Sequence, residues 1–120
     1  MKKKELPFHL AALSSLLLLQ LACHDANRGQ EKVELAWRQH EKIFIDLRNG
    51  KDVKAADFNE ACLFFSQLTD VEIPSSHNLF VDCYPTNESY KALEPLRGWY
   101  SRNHYRLYWN EASMSVKLRN

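Results

Sequence analysis

The clearest hydrophobic pattern lies between Gln30 and Arg48. Its less polar positions recur at intervals of 4, 3, 4 and 3 residues: Val33, Trp37, His40, Phe44 and Leu47. This spacing predicts an amphipathic helix with one apolar face. The helix is expected to end at Asn49-Gly50, because glycine suits the left-handed position after a helix. His40 lies on the apolar face, where a core histidine is the more common alternative to a ligand.

A second helix is predicted from about Val53 to Leu68, with Asp52 as its N-cap. Its apolar positions again follow helical spacing: Phe58, Ala61, Cys62, Phe65 and Leu68. The connection from Asn49 to Asp52 is short, which predicts that the two helices pack antiparallel as an αα-hairpin. Burial of both apolar faces against each other would then form the centre of the core.

A third helix is predicted from Ser89 to about Asn103, on apolar and aromatic positions at intervals of three and four. Pro95 is costly in a helix interior, by about 3 kcal/mol. The regular helix is therefore expected to begin near Glu94, which places the proline in the first turn. The tail then alternates in two short runs around a turn at 110–113: Tyr105, Leu107 and Trp109, then Met114, Val116 and Leu118. Alternation of this kind predicts a small β-hairpin.

Residues 74–88 are rich in turn-forming residues around one apolar island, Leu79-Phe80-Val81, for which a short strand is predicted. A loop of this length is usually functional or held in place. The predicted fold class is therefore mainly α: an antiparallel helix pair, a third helix and a small C-terminal β-hairpin.

The N-terminus has a different composition from the rest. Lys2, Lys3 and Lys4 precede an uncharged run from Leu6 to Ala22, which ends on a small residue. A basic segment, a short apolar segment and a small residue at the end describe a secretory signal peptide. Because Cys23 follows directly, Gln20-Leu21-Ala22-Cys23 resembles the lipobox of bacterial lipoproteins. The resemblance implies cleavage before Cys23, lipidation of Cys23, and a cell-envelope protein held on a membrane by its acyl group.

Two alternatives remain for this segment. One is an ordinary secreted protein without a lipid. The other is an uncleaved anchor, although His9, Ser14, Ser15 and Gln20 interrupt the 17-residue run. About 20 predominantly apolar residues are needed to span a bilayer.

On this interpretation residues 1–22 are the signal peptide, residues 23–30 a polar, turn-prone tether, and residues 31–120 one small globular domain. Cleavage would leave 98 residues with 13 basic and 14 acidic side chains. Their charge is uneven, since residues 89–120 carry six basic and two acidic groups. A net charge of −1 argues against a nucleic-acid partner.

The three cysteines fit export. If Cys23 is lipidated, Cys62 and Cys83 remain and could pair in an oxidising compartment. Closing a loop of about 20 residues would contribute roughly 3 kcal/mol. The alternative is that Cys62 is a small buried apolar residue. No Cys-x-x-Cys or paired-His spacing indicates a metal site.

Basic and aromatic residues are interspersed along the C-terminal segment, which predicts a binding surface. Its candidate residues are Trp99, Tyr100, Arg102, Arg106 and Trp109. Such surfaces suit a protein, a glycan or an anionic head group. The alternative is that the aromatic rings close the core while the arginines stay solvated. The spacing from Leu93 to Trp109 also resembles the tail of uncharacterised bacterial proteins, which implies no activity.

No catalytic motif is found. Glycine-rich phosphate loops and metalloprotease or nucleophile-elbow motifs are all missing from the sequence. Asp57 and Glu60 suit a solvated first helical turn better than acid–base catalysis. The sequence therefore predicts no enzyme and no cofactor. It predicts an envelope lipoprotein that acts by protein binding, as an inhibitor, immunity protein or scaffold, with a glycan- or ligand-binding module as the alternative.

Overall fold

The computed structural model describes the backbone of residues 6–77 and 83–120, and the side chains of residues 27–77 and 83–120. The signal-peptide side chains, Cys23 and the Leu79-Phe80-Val81 island lie outside the described side chains, so those predictions stay predictions. Three α-helices and four short strands follow along the described chain: α1 (Leu6–Arg48), α2 (Ala55–Leu68), β1 (Ser75–Ser76), β2 (Tyr84–Pro85), α3 (Leu93–Asn103), β3 (Leu107–Asn110) and β4 (Ser115–Leu118). The predicted fold class, mainly α with minor antiparallel β, is confirmed.

The first helix ends where the sequence predicts. Gly50 adopts a φ of +73°, and its N–H donates to the carbonyl of Leu47 at 3.1 Å. The N–H of Lys51 donates to the carbonyl of Asp46 at 2.9 Å, which completes a Schellman motif. α1 begins at Leu6 and therefore also includes residues 24–30, for which the sequence predicts turns. This stretch has no proline, and a single glycine costs a helix only about 1 kcal/mol.

The predicted N-cap of the second helix is wrong. α2 begins at Ala55, and Lys54 occupies the cap position without a side-chain hydrogen bond to the helix. Asp52 lies too far upstream to reach the free N–H groups. Asp57 in the first turn provides the negative charge that favours a helix start.

The core forms between the helices as predicted. All five predicted positions of α2 are buried: Phe58, Ala61, Cys62, Phe65 and Leu68. Val33, Trp37 and Phe44 of α1 are buried against them, with Leu93, Leu96 and Trp99 of α3. Pro95 lies in the first turn of α3, after a separate 3₁₀ turn at Ser89–Ala92.

The segment between α2 and α3 is held by a buried serine. Ser89 is fully buried, and its hydroxyl donates to the carbonyl of Pro74 at 2.5 Å. The same hydroxyl accepts a hydrogen bond from the N–H of Thr86 at 2.8 Å. β1 and β2 pair antiparallel beside it.

The predicted C-terminal hairpin is confirmed. β3 and β4 pair antiparallel in a register that sets Trp109 opposite Val116 and Leu107 opposite Leu118. The N–H of Arg119 extends the pairing to the carbonyl of Arg106 at 2.8 Å. β3 lies against α1, so the hairpin covers one side of the helix pair.

Candidate binding groove

The five candidate binding residues do not form one surface. Trp99, Arg102 and Arg106 line one cleft at the end of α3. Tyr100 lines a second hollow against α1, and Trp109 lines a third beneath the hairpin. Adjacent helical positions point in different directions, which separates Tyr100 from Trp99.

Trp99 belongs mainly to the core. Its side chain is 6 % exposed, and its ring stacks on Trp37 with a centroid distance of 5.7 Å and an interplanar angle of 8°. Tyr100 packs on the same indole at 4.6 Å. The alternative interpretation of the C-terminal aromatic residues, that they close the core, therefore describes Trp99.

The hollow that contains Trp109 is a groove between the helix pair and the hairpin. Its volume is about 360 Å³, within the range of ligand-binding clefts. Its wall is largely apolar, with Ala36 of α1, Phe64 of α2 and Val116 of β4 among the contributors. We call it the hairpin groove.

Two exposed apolar side chains stand at the groove. Leu63 is 47 % exposed and Met114 is 65 % exposed, and both line the hairpin groove. Met114 has a φ of +52° at the end of the hairpin turn, a conformation that is uncommon for residues other than glycine. Leu63 also lines an adjacent hollow of about 230 Å³ on the other side of α2. Leu63 is therefore an apolar ridge between two hollows.

Trp109 presents a polar group without a partner. Its Nε1 is buried and has no hydrogen-bond acceptor among the described residues. An unpaired buried donor costs about 1–3 kcal/mol. The ammonium of Lys32 lies 5.5 Å from the centroid of the same ring, and pairs with Glu111 at 3.2 Å. The indole is thus fixed in the groove wall while its N–H lacks an acceptor.

The imidazole of His40 is part of the same wall. It stacks on Phe64 with a centroid distance of 4.2 Å. Burial lowers the pKa of His40 below 6.5, and the nearby carboxylate of Glu60 only partly opposes the shift. The imidazole is therefore uncharged at neutral pH, and Glu60 supplies the charge of the groove.

The two cysteines lie together at the adjacent hollow. Cys62 and Cys83 are free thiols in the structure, and both line that hollow. Burial, followed by the hydrogen bond to Cys83 and the charge of that group, raises the pKa of the Cys62 thiol. A protonated thiol is a poor nucleophile. Both cysteines line the same hollow, and the predicted bridge between them stays a prediction.

The sequence does carry one signal for this groove. Residues 61–65 are five consecutive apolar residues, more than one helical face can bury. Leu63 is the member that remains most exposed, opposite the buried stripe. The position of Trp109 across from it depends on how the hairpin docks, which no local pattern specifies.

In the described part of the chain, no helix contains a stretch long and apolar enough to cross a bilayer. Among the same residues, no group of three or more His, Cys, Asp or Glu side chains is placed to hold a metal ion. No protein-family model, curated protein or solved structure matches this chain.

Proposed function

We propose that this protein is a membrane-tethered lipoprotein of the bacterial envelope that binds another protein through the hairpin groove. The N-terminal residues support the tether, since a basic segment, an apolar run and Ala22-Cys23 resemble a lipoprotein signal. The proposed activity is binding without catalysis, of the kind expected of an inhibitor, an immunity protein or a scaffold. Cys23 carries the lipid in this proposal.

The unpaired Trp109 N–H is the observation that carries the binding proposal. A peptide chain offers backbone carbonyls as acceptors and apolar side chains beside them. Both features match the groove, because its lining includes Trp109, whose buried Nε1 lacks an acceptor among the described residues, and the exposed side chains of Leu63 and Met114. Burial of Leu63 and Met114 would remove apolar surface from water. A small shift of the indole on binding would bring its covered Nε1 to a backbone carbonyl of the partner and satisfy the donor.

The charge of the groove indicates which side chains a partner should carry. Glu60 lines the groove and forms no ion pair with the described residues. His40 adds no positive charge at neutral pH. The partner segment is therefore expected to carry a lysine or arginine next to its apolar side chain.

The aromatic residues support a protein partner over a glycan. Stacking on a sugar needs an exposed ring face, but Trp37 and Trp99 stack on each other inside the core. Trp109 lines the groove, and its buried Nε1 lacks an acceptor among the described residues. Aromatic anchors in pockets surrounded by apolar side chains are typical of protein interfaces.

Substitution of one leucine tests the binding proposal. Leu63→Glu places a charge on the groove ridge, and Leu35→Glu makes the same change at a 59 % exposed leucine outside the groove. Wild type and both variants are used as bait in solubilised envelope, and bound proteins are compared. The expected result is a partner retained by wild type and Leu35→Glu but lost from Leu63→Glu. Equal recovery with both variants would contradict the proposed site.

Intact mass tests the tether separately. Membrane-fraction protein should begin at Cys23 and carry a diacyl or triacyl mass, whereas Cys23→Ala should lack the lipid. A soluble wild-type protein without an acyl group would contradict the tether. It would leave the groove proposal to be judged by the leucine variants alone.

A further inference from the structure

A second, polar cleft adjoins the hairpin groove. Gln67 and Leu68 line both. The cleft has a volume of about 470 Å³ and is formed by the ends of α2, α3 and β4. Arg102 and Arg106 line it, together with the carboxylate of Asp70. We call it the arginine cleft.

The guanidinium of Arg106 is held in a fixed orientation. Its Nε donates to the carbonyl of Arg119 at 3.1 Å, and its Nη1 donates to Oδ1 of Asn103 at 3.2 Å. Asn103 is itself fixed, because its Nδ2 donates to the carbonyl of Trp99 at 3.0 Å. A guanidinium has five N–H groups, so three remain for a ligand. Such prior orientation reduces the cost of binding.

Neither arginine of the cleft has a carboxylate partner in the described part of the chain. By contrast, Arg97 pairs with Glu41 and Glu94, and Arg48 pairs with Glu94. Asp70 shares the cleft with Arg102 and Arg106 but forms an ion pair with neither. The cleft therefore holds two unpaired guanidinium groups and one carboxylate.

The side chain of Arg102 lies over Gly98, which has no Cβ to obstruct it. The Nη1 atom of Arg102 lies 3.2 Å from the point where a Cβ of Gly98 would be. Arg102 thus lies back along α3, while Arg106 is fixed against the end of the hairpin. Guanidinium groups bind phosphate oxygens through paired N–H donors, so two arginines without a carboxylate partner suit a phosphate group.

We propose that the arginine cleft binds a phosphodiester group. The charges of Arg102, Arg106 and Asp70 sum to +1, which one singly charged phosphodiester neutralises. Trp99 and Leu118 give the cleft an apolar floor for the glycerol carbons next to the phosphate. The source of the group is the head group of an anionic phospholipid or a soluble glycerophosphodiester.

Binding of two probes tests this site in the full-length protein. The probes are glycerophosphoglycerol in solution and phosphatidylglycerol in phosphatidylcholine vesicles, measured by calorimetry and by vesicle co-sedimentation. Arg106→Gln and Arg102→Gln should each weaken binding by about tenfold or more, the usual effect of losing a hydrogen bond to a charged group. Lys117→Gln, an exposed residue outside the cleft, removes the same charge as a matched control.

The outcomes separate the possibilities. Loss with both arginine variants and retention with Lys117→Gln supports the site, and binding to the vesicles alone identifies the lipid as its source. Equal weakening by Lys117→Gln would show general attraction between charges and overturn the proposal, as would no binding to either probe. If Arg106→Gln unfolds, the exposed Arg102→Gln variant decides the result. The partner-binding test at Leu63 is independent of all these outcomes.

Discussion

The indole rings of Trp37 and Trp99 stack nearly parallel, with centroids 5.7 Å apart and an interplanar angle of 8°. Trp37 also meets Phe65 of α2 edge-on at 4.8 Å. Its Nε1 donates to Oε2 of Glu41 at 3.0 Å, and Glu41 contacts Arg97 of α3 at 3.5 Å. Trp37 therefore joins all three helices, and its buried donor is satisfied, in contrast to that of Trp109.

Trp99→Ala should strongly destabilise the fold. It removes the stacked ring from the core, and comparable truncations lower the free energy of unfolding by about 3–5 kcal/mol. Tyr105→Ala is the control, because Tyr105 is 72 % exposed and surface changes usually stay within about 0.5 kcal/mol. Urea denaturation followed by circular dichroism measures both. A small loss for Trp99→Ala would contradict the assignment of Trp99 to the core.

Helical periodicity predicts the parts of this fold that depend on local patterns. The buried residues of α2, the end of α1 at Gly50 and the first-turn position of Pro95 all follow from spacing and backbone chemistry. The way in which the hairpin docks on the helices does not follow from any local pattern. The pairing of Trp109 with Leu63 across the groove, and the fixed guanidinium of Arg106, arise from the hairpin meeting the helices. The local pattern therefore indicates the residue types of a binding surface, but Trp99, Tyr100 and Trp109 line three separate hollows.

Substitution by alanine should change the stability in opposite directions at Gly29, within α1, and at Gly50, just after its end. Gly50→Ala places a Cβ at a φ of +73°, where the left-handed conformation costs an L-residue about 1–2 kcal/mol. Gly29→Ala meets nothing within 4 Å in α1, and should stabilise the helix by up to about 1 kcal/mol. Thermal unfolding of the two variants should shift in opposite directions. An unchanged or raised unfolding temperature for Gly50→Ala would contradict the Schellman ending, and a lowered one for Gly29→Ala would contradict the helix at residue 29.

We expect the protein to lose stability in mild acid because the imidazole of His40 is partly buried. Because burial lowers its pKa in the folded protein, the unfolded chain binds a proton more readily. Stability is therefore complete above the unfolded pKa of about 6.5 and falls as the pH drops below it toward the lowered folded pKa. An NMR titration should give His40 a pKa below 6.5, and Glu60→Gln should lower it further, since Glu60 raises it. A folded pKa at or above 6.5 would contradict the buried imidazole.

Cys62 and Cys83 should form a disulfide after export. The two cysteines line the same hollow, and a thiol-oxidising catalyst of the export compartment would accept their two hydrogens and two electrons as the S–S bond forms. Intact mass without reductant should show a two-hydrogen deficit, absent from Cys83→Ser. The loop of about 20 residues should add roughly 3 kcal/mol to the free energy of unfolding. Free thiols in the exported wild type would exclude the bridge.

The most direct test of the account is a photo-reactive amino acid placed at Leu63 in living cells, with the same residue at Leu35 as the control. We expect a discrete protein adduct from position 63, no such adduct from position 35, and loss of the position-63 adduct in Cys23→Ala, which would lack the tether. The same adducts from both positions, or none from position 63, would contradict a protein-binding groove at this site.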